Sequence, residues 1–592
     1  MTAWRKAAIG LLIALPVLAG GAAIALKALV DPEHLRQVAR DKARSAWSRE
    51  LQMGDIRFEL LPLPAIIVRD LKLTQPGEAP IEAANVTAEL EILPLLLGQT
   101  RFSSLYFKDA RIEWNGAPWR IEEAVVETDA NLHNVRIAGR LWRNRTVVDL
   151  RAEFDDLSKM RVAGAATHGR VQLDWEHAQA VATGRVPIDG TMNGHALAVV
   201  MKADSAVEIC DFFGFEPKPR APLSATFESR ENEGRVTIGK LAASLGKLTV
   251  RGDAQYIPGR RPETHLHLAT GRLDWAQTTL DLGGPVVIAP ETPEMFRDTP
   301  FAWELLVGLK GKRGTIDADI GSLLLRNGVE LKNLRTRSAY DEDRLDMKSF
   351  ATEMLGGSAT GRLQLEGRKK ALRLDFDGKG LLLERWFRER RSPVPFTGGP
   401  MKIAAKLSGS GESMRALAAS INGSFDVRMG RGVLHSVRAG EAEAKMTAAF
   451  SGAKESPQIE FECAGFALPF RDGRATAERL IGVSTTASSL LTSGYVDLRS
   501  EELDLRGRLR SKAGVGLSAI AGDMKITGPI RQPHMALDES ATPKAIARGA
   551  AAIATLGLSV IGTAKADSEE ARRSNPCETV FVTKLPLSGA PR

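Results

Sequence analysis

Between Gly494 and Lys512 the chain reads GYVDLRSEELDLRGRLRSK, where Val496, Leu498, Leu503, Leu505 and Leu509 alternate with Asp497, Arg499, Asp504, Arg506 and Arg508. A period of two puts successive side chains on opposite sides of a strand, so the stretch predicts strands with one apolar and one charged face. Ser500, Glu501 and Glu502 fall where a hairpin turn would join them. The period recurs along the chain at Ile56, Phe58 and Leu60; Leu71 and Leu73; Leu105 and Phe107; and Val171, Leu173 and Trp175. It returns at Leu266 and Leu268; Leu372, Leu374 and Phe376; Ile403, Ala405 and Leu407; and Phe425, Val427 and Met429. Turn-forming breaks such as QPGEAP, IPGRRP and FTGGP separate these runs. Short alternating strands with frequent turns predict a mainly β, mostly antiparallel body.

Other periods are confined to a few places. Ala7 to Leu26 is an uncharged run behind Arg5 and Lys6. As a helix of about 30 Å it matches the hydrocarbon thickness of a bilayer. It reads as an uncleaved signal anchor, with a cleaved signal peptide ending at Ala23-Ile24-Ala25 as the competing reading. Arg5 and Lys6 would hold the short end in the cytoplasm, leaving the bulk of the chain across the membrane, in the periplasm if the cell is a bacterium. Asp31 to Glu50 has helical spacing, with Pro32 in the first turn, and predicts a juxtamembrane helix. Short helical windows lie near VEICDFFGFE and SLLTS, and a longer one runs from Pro543 to Thr563. The resulting layout is a cytoplasmic tail (1–6), an anchor (7–30), a juxtamembrane helix (31–50), an N-terminal β module (51–150), a β-rich middle (151–400) and a C-terminal module (401–592).

So few helices cannot blanket so many strands. The apolar faces must meet one another in a sandwich or barrel, or surround something apolar that is not protein. Alternation alone does not choose. Ala405 and Gly423, small residues in phase with larger ones, fit either room for a ligand or local bulges.

Composition narrows the chemistry. The net charge of +8 is spread thinly over 592 residues and aromatics make up 6%, which lacks the clustered basic and aromatic footprint of a nucleic-acid binder. Cys210, Cys463 and Cys577 are too few for a Cys-only zinc site, though one bridge plus one thiol could form. Cys210, flanked by VEI and DFFGF, reads as a buried hydrophobe. The chain has no H-E-x-x-H, phosphate-loop or G-x-G-x-x-G motif, and LGGSATG, the nearest approach to a serine elbow, ends in Thr360 where glycine is needed. GLKGKRGT reads as a hairpin turn. His265 and His267 share one strand face, with no third metal ligand evident beside them. The expectation is no enzyme, no cofactor and no metal.

Two regions resemble the AsmA family. Met53 to Trp114 is similar to its N-terminal module, with a strand, a proline turn and an "LEILPLLLG" run. KLSGSGESMRALAASINGSFDVRMGRGVL, then CAGFALPFRDGRATAERL through GYVDLRSEELDLRGRLRSK and GDMKITGPIRQPHMALD, resemble its closing module. The resemblance implies an inner-membrane-anchored, single-pass periplasmic protein related to chorein-type bridges. It also implies a long, strongly curved sheet that forms an apolar-lined groove, followed by a C-terminal helix. The family is linked to outer-membrane assembly and to movement of phospholipid between membranes.

On that reading the implied partners are membrane phospholipid, the inner membrane through the N-terminal helix, and an outer-membrane or periplasmic protein. Candidate groove residues are Ile56, Phe58, Leu71, Leu73, Leu105, Phe107, Leu372, Leu374, Phe376, Ile403, Leu407, Phe425, Val427, Val496, Leu498, Leu503, Leu505 and Leu509. Withdrawing two acyl chains of sixteen carbons from lipid into water costs on the order of 25 kcal/mol, so a shielded path is needed. The resemblance also implies a Cys463–Cys577 disulfide that pins the terminal helix across the sheet. A scaffold that assists outer-membrane protein assembly without carrying lipid, and an unrecognised periplasmic enzyme, are the competing functions.

Overall fold

The computed structural model describes residues 32–47, 50–59, 63–74, 80–91, 102–114, 117–129, 132–143, 146–159, 162, 164–188, 193–214, 219–282, 295–296, 298, 303, 306, 311–389, 396–435, 458–512, 523–531, 533–537 and 575–582. The anchor Ala7–Leu26 and the window Pro543–Thr563 lie outside these residues. Among the described residues no helix is long and apolar enough to cross a membrane. The architecture is mainly β, with six short helices among the described residues: α1 (Pro32–Trp47), α2 (Val207–Phe213), α3 (Trp275–Asp281), α4 (Leu383–Glu389), α5 (Met414–Ala419) and α6 (Pro576–Thr579). The chain divides into two compact units. One is Met1–Arg260 with Thr264–Leu268 and Gln277–Val286; the other is Arg261–Glu263, Ala269–Ala276 and Val287–Arg592.

The first unit begins with α1, where the sequence predicted a helix. Its Ala39 and Ala43 pack on Leu51 and Leu73, so the helix lies against the strands. Arg36 Nη2 donates to the Gly54 carbonyl at 2.9 Å, fixing the crossing to the first strand. The strands Glu50–Gln52 and Ile56–Glu59 both pair with Ala65–Thr74. From there each strand pairs antiparallel with the next as far as Leu248–Ile257.

Because the period is two, the register lines up one apolar residue from each strand. Ile66 faces Ala88, then Leu105, Val126, Ile137, Ala152, Val171, Ala182 and Val199 in turn. A one-residue slip anywhere would move a whole strand's apolar set to the other side.

The second unit runs in order from Arg313–Leu324 to Ala371–Leu381. Its ladder then passes over Phe396–Gly398: Ala371–Leu381 pairs with Met401–Ser410, while Phe396–Gly398 pairs with Gly432–His435. The long strand Gln458–Arg471 takes both Asn422–Met429 and Gly432–His435 as partners, and the ladder continues to His534–Leu537. Here too an aligned row crosses the strands: Ile316, Ser338, Met347, Leu363, Leu374, Leu407, Gly423, Phe470, Ala475, Val496 and Leu503.

Three expectations change. SLLTS is not helical; it belongs to the strand Ser488–Asp497. Ser488, Leu490 and Thr492 are buried there, and pairing on both sides overrides the local spacing. Cys210 is half-buried on α2 rather than enclosed. Ala405 and Gly423 do not leave open space. Ala405 is buried in register between Phe376 and Phe425. Gly423 has φ +127°, and a Cβ there would lie 1.9 Å from the Lys406 carbonyl oxygen, so the position serves a close strand-to-strand approach. The turn between the strands Ser488–Asp497 and Glu502–Ser511 falls at Leu498–Glu501, with Glu501 at positive φ.

Candidate functional site

The candidate surface is the apolar face of each ladder, and its cover changes along the strands: in the first unit's row Ile66, Ala88, Leu105 and Val126 are buried, while Ile137, Val171, Ala182 and Val199 are half-buried. In the first unit Val68, Val86, Leu105, Ile121, Val126 and Val135 are at most 2% exposed and belong to one hydrophobic cluster. Leu73 and Phe107 are buried, and Ile56 and Leu71 pack against buried clusters. Phe58 sits opposite Ile66 in the ladder. The protein's own side chains therefore close this part of the face.

An aromatic group ends that cluster at one margin of the ladder. The Phe212 ring of α2 stands edge-on to Trp119 at 5.0 Å and to Trp175 at 5.4 Å. Arg143 joins it, its guanidinium carbon 4.8 Å from the Trp119 ring centre. Arg143 follows Leu141 by two residues on the strand His133–Arg143, so it points to the apolar side. Burial pushes its pKa below the ordinary arginine value. Sequence reasoning passed over this residue. The signal was LWRNR, where the alternation places a cation in phase with Leu141.

In the second unit the middle of the row is half covered as well. Ile316, Met347, Leu363, Leu374, Phe376, Ile403 and Leu407 are all half-buried, although they lie in the middle of the ladder. One margin is closed by the protein itself: Trp303 and Leu306 cluster with Leu417 and cover Leu345, Leu365 and Leu372. That covering segment is held by hydrogen bonds. Glu501 accepts from the Met295 and Phe296 amides, the Asp298 carboxylate accepts from Ser413 Oγ at 2.6 Å, and Trp303 Nε1 donates to the Gly411 carbonyl at 3.0 Å.

The far end of this ladder is also filled. Val496 and Leu505 are buried with Phe470, Ala475 and Leu480, and Phe425, Leu498 and Leu503 pack against them. Val427 is buried, and Leu509 clusters with Leu490 and Met524. The half-covered residues of the row are thus Ile316, Met347, Leu363 and Leu374, with the buried Ser338 between the first two, and Leu407 packs against the covered end.

The opposite face is polar. A depression of about 600 Å³ is lined by Arg335, Arg337, Arg362, Asp375 and Asp377, carrying both signs of charge. On the same side Cys463 and Cys577 form a disulfide that joins α6 to the strand Gln458–Arg471. Asn575 Oδ1 caps α6 by accepting from the Cys577 and Glu578 amides. Arg428 lies 3.5 Å from the Phe581 ring centre.

Among the described residues chemistry-bearing clusters are few. His267 Nδ1 lies 3.3 Å from Asp253, and both side chains are exposed. Among the described residues, Glu176, His177 and Glu208 bring ligand atoms within 4.8 Å of one another. His177 pairs there with Glu208 at 3.2 Å, which raises the imidazole pKa.

The fold and this surface define a class: an antiparallel β protein whose strands, in each unit, align mostly apolar residues on one face. The chain belongs to the AsmA family, whose pattern matches residues 1–144 and 289–480. It is similar to the AsmA family protein YhjG of Escherichia coli (strain K12), with 26% identity over 263 residues, 43% of this chain. That match spans 37% of the relative's length. Membership supports a general role in envelope and outer-membrane assembly.

Proposed function

We propose that this chain is an inner-membrane-anchored periplasmic protein that holds or passes phospholipid along its apolar β face. The observation that carries the reading is the half-covered set Met347, Leu363 and Leu374, aligned strand to strand in the second unit and joined to Ile316 through Ser338. Apolar side chains at the centre of a ladder are ordinarily enclosed, since burying one contributes about 1.5–3 kcal/mol. Residues left half-covered over successive strands suit acyl chains that come and go. Each methylene laid on such a surface is favoured by about 0.8 kcal/mol. Such a surface needs no nucleophile, only continuity.

Native mass spectrometry of the full chain, released from mild detergent, tests the reading. Co-purified phospholipid is expected on the wild type and reduced on Leu363→Asp and Leu374→Asp. A wild type free of lipid under conditions that preserve its fold removes the proposal. The closed cluster around Leu105 and Val126 favours a structural role for that part of the first unit.

A further inference from the structure

Four rows of residues lie side by side on the apolar face of the second unit, crossing the strands Arg344–Met354, Gly357–Glu366 and Ala371–Leu381. Leu345, Leu365 and Leu372 are cross-strand neighbours, and two residues away on each strand Met347, Leu363 and Leu374 form the next row. Beyond a bulge in the strand Arg344–Met354, Phe350, Gly361 and Phe376 form the third, and Thr352, Ala359 and Gly378 the fourth. Both outer rows are closed from above. Trp303 and Leu306 are buried, cluster with Leu417 and pack on Leu345, Leu365 and Leu372. At the other margin Thr352, Ala359 and Gly378 are buried, and a Cβ on Gly378 would lie 2.7 Å from Cδ1 of the buried Leu381. The inner rows lack such a cover: Met347, Leu363 and Leu374 are half-buried, and so are Phe350 and Phe376, whose rings stand 6.3 Å apart across Gly361. At about 3.3 Å per residue along a strand, neighbouring rows are about 7 Å apart. The half-covered band is thus two rows wide, with a wall on each side.

We propose that Trp303 sets the width of the acyl-chain surface: its indole takes the row beside Met347, Leu363 and Leu374 and so confines lipid to the two inner rows. This rests on the reading of those rows as an acyl-chain surface. The wall is fixed from outside the ladder. Trp303 Nε1 donates to the Gly411 carbonyl at 3.0 Å, and Asp298 accepts from Ser413 Oγ at 2.6 Å. Gly411 and Ser413 lie between the strand Met401–Ser410 and α5, so these bonds hold the indole over the face without engaging the rows beneath it. A side chain that merely steadies the sheet and one that excludes lipid differ in one respect. Removing the second adds apolar floor, because Leu345, Leu365 and Leu372 then continue the band.

The test uses the full chain in detergent, with phosphatidylglycerol carrying a fluorescent acyl chain as the probe. Trp303→Ala is expected to bind it at least about 4-fold more tightly than the wild type, the effect of one further methylene laid on apolar surface. Trp303→Phe keeps a ring on the row and loses only the bond to Gly411, so it should bind as the wild type does. Leu105→Ala, a truncation inside the closed cluster of the first unit, should not tighten binding. If it does, the gain reflects loosened packing and the assignment falls. Wild-type binding that neither Trp303→Ala nor Leu306→Ala strengthens overturns the role of Trp303 while the acyl-chain reading stands. A wild type that binds no probe removes both. Thermal melting shows whether each variant folds; should Trp303→Ala fail to, the smaller truncation Leu306→Ala decides, a gain in affinity supporting the wall and no gain overturning it.

Discussion

Gly465 and Gly482 are cross-strand partners, and the backbone of α6 rests in the notch they leave. A Cβ on Gly465 would lie 2.3 Å from the Cys577 carbonyl oxygen, and one on Gly482 would lie 2.1 Å from that of Pro576. Both contacts are with backbone, which cannot swing aside as a side chain can. Gly482→Ala should therefore lift α6 and destabilise the second unit by about 1–3 kcal/mol, the usual cost of overpacking. Urea denaturation checks this; a variant as stable as the wild type would show that α6 is not seated between these strands.

The Cys463–Cys577 bond closes a loop with a sequence separation of 114 residues. A cross-link of that length restricts the unfolded chain, so Cys577→Ser should cost about 2–4 kcal/mol. The wild type treated with reductant should match the variant. If reductant leaves the wild-type denaturation curve unmoved, the bond does not contribute in this way.

Leu105 and Leu374 have the same side chain on the same kind of strand but differ in cover. Leu105 is 1% exposed inside the large cluster, whereas Leu374 is half-buried. Leu105→Ala should cost about 2–5 kcal/mol through lost transfer energy and a cavity. Leu374→Ala should cost less than half as much, because less surface is withdrawn from water there. Paired denaturation curves decide it, and equal losses would mean that the row through Leu374 is enclosed like a core.

Lys512 Nζ donates to Glu462 Oε2 at 2.6 Å and to Ser484 Oγ at 2.7 Å. The hydrogen bond from Lys512 holds the Glu462 carboxyl below its ordinary value of 4.5. A carboxylate with a depressed folded-state pKa contributes stability above its unfolded value and loses it as pH falls through the folded one. The contribution is thus present at neutral pH and disappears below about pH 4.5. Glu462→Gln should lower stability at pH 7 and flatten the acid limb of the stability profile. Identical pH slopes in wild type and variant would show that the pair is not linked to folding.

Alternation in the sequence determined the β class, the antiparallel pairing and the sidedness of nearly every strand. Leu503, Leu505 and Leu509 share one face and Arg506 the other because strand geometry offers no other arrangement. The helix at Pro32–Trp47 was likewise written in local spacing and a first-turn proline. What covers each apolar residue was not legible, because cover depends on atoms far away in the chain. Leu105 and Leu374 look alike in sequence; one is enclosed by neighbouring strands and the other is left half-open. Leu372 is roofed by Trp303 and Leu306, which come from a different part of the chain. Periodicity is a property of the backbone and can be read locally; burial and charge compensation are sums over space, and only the tertiary structure performs them.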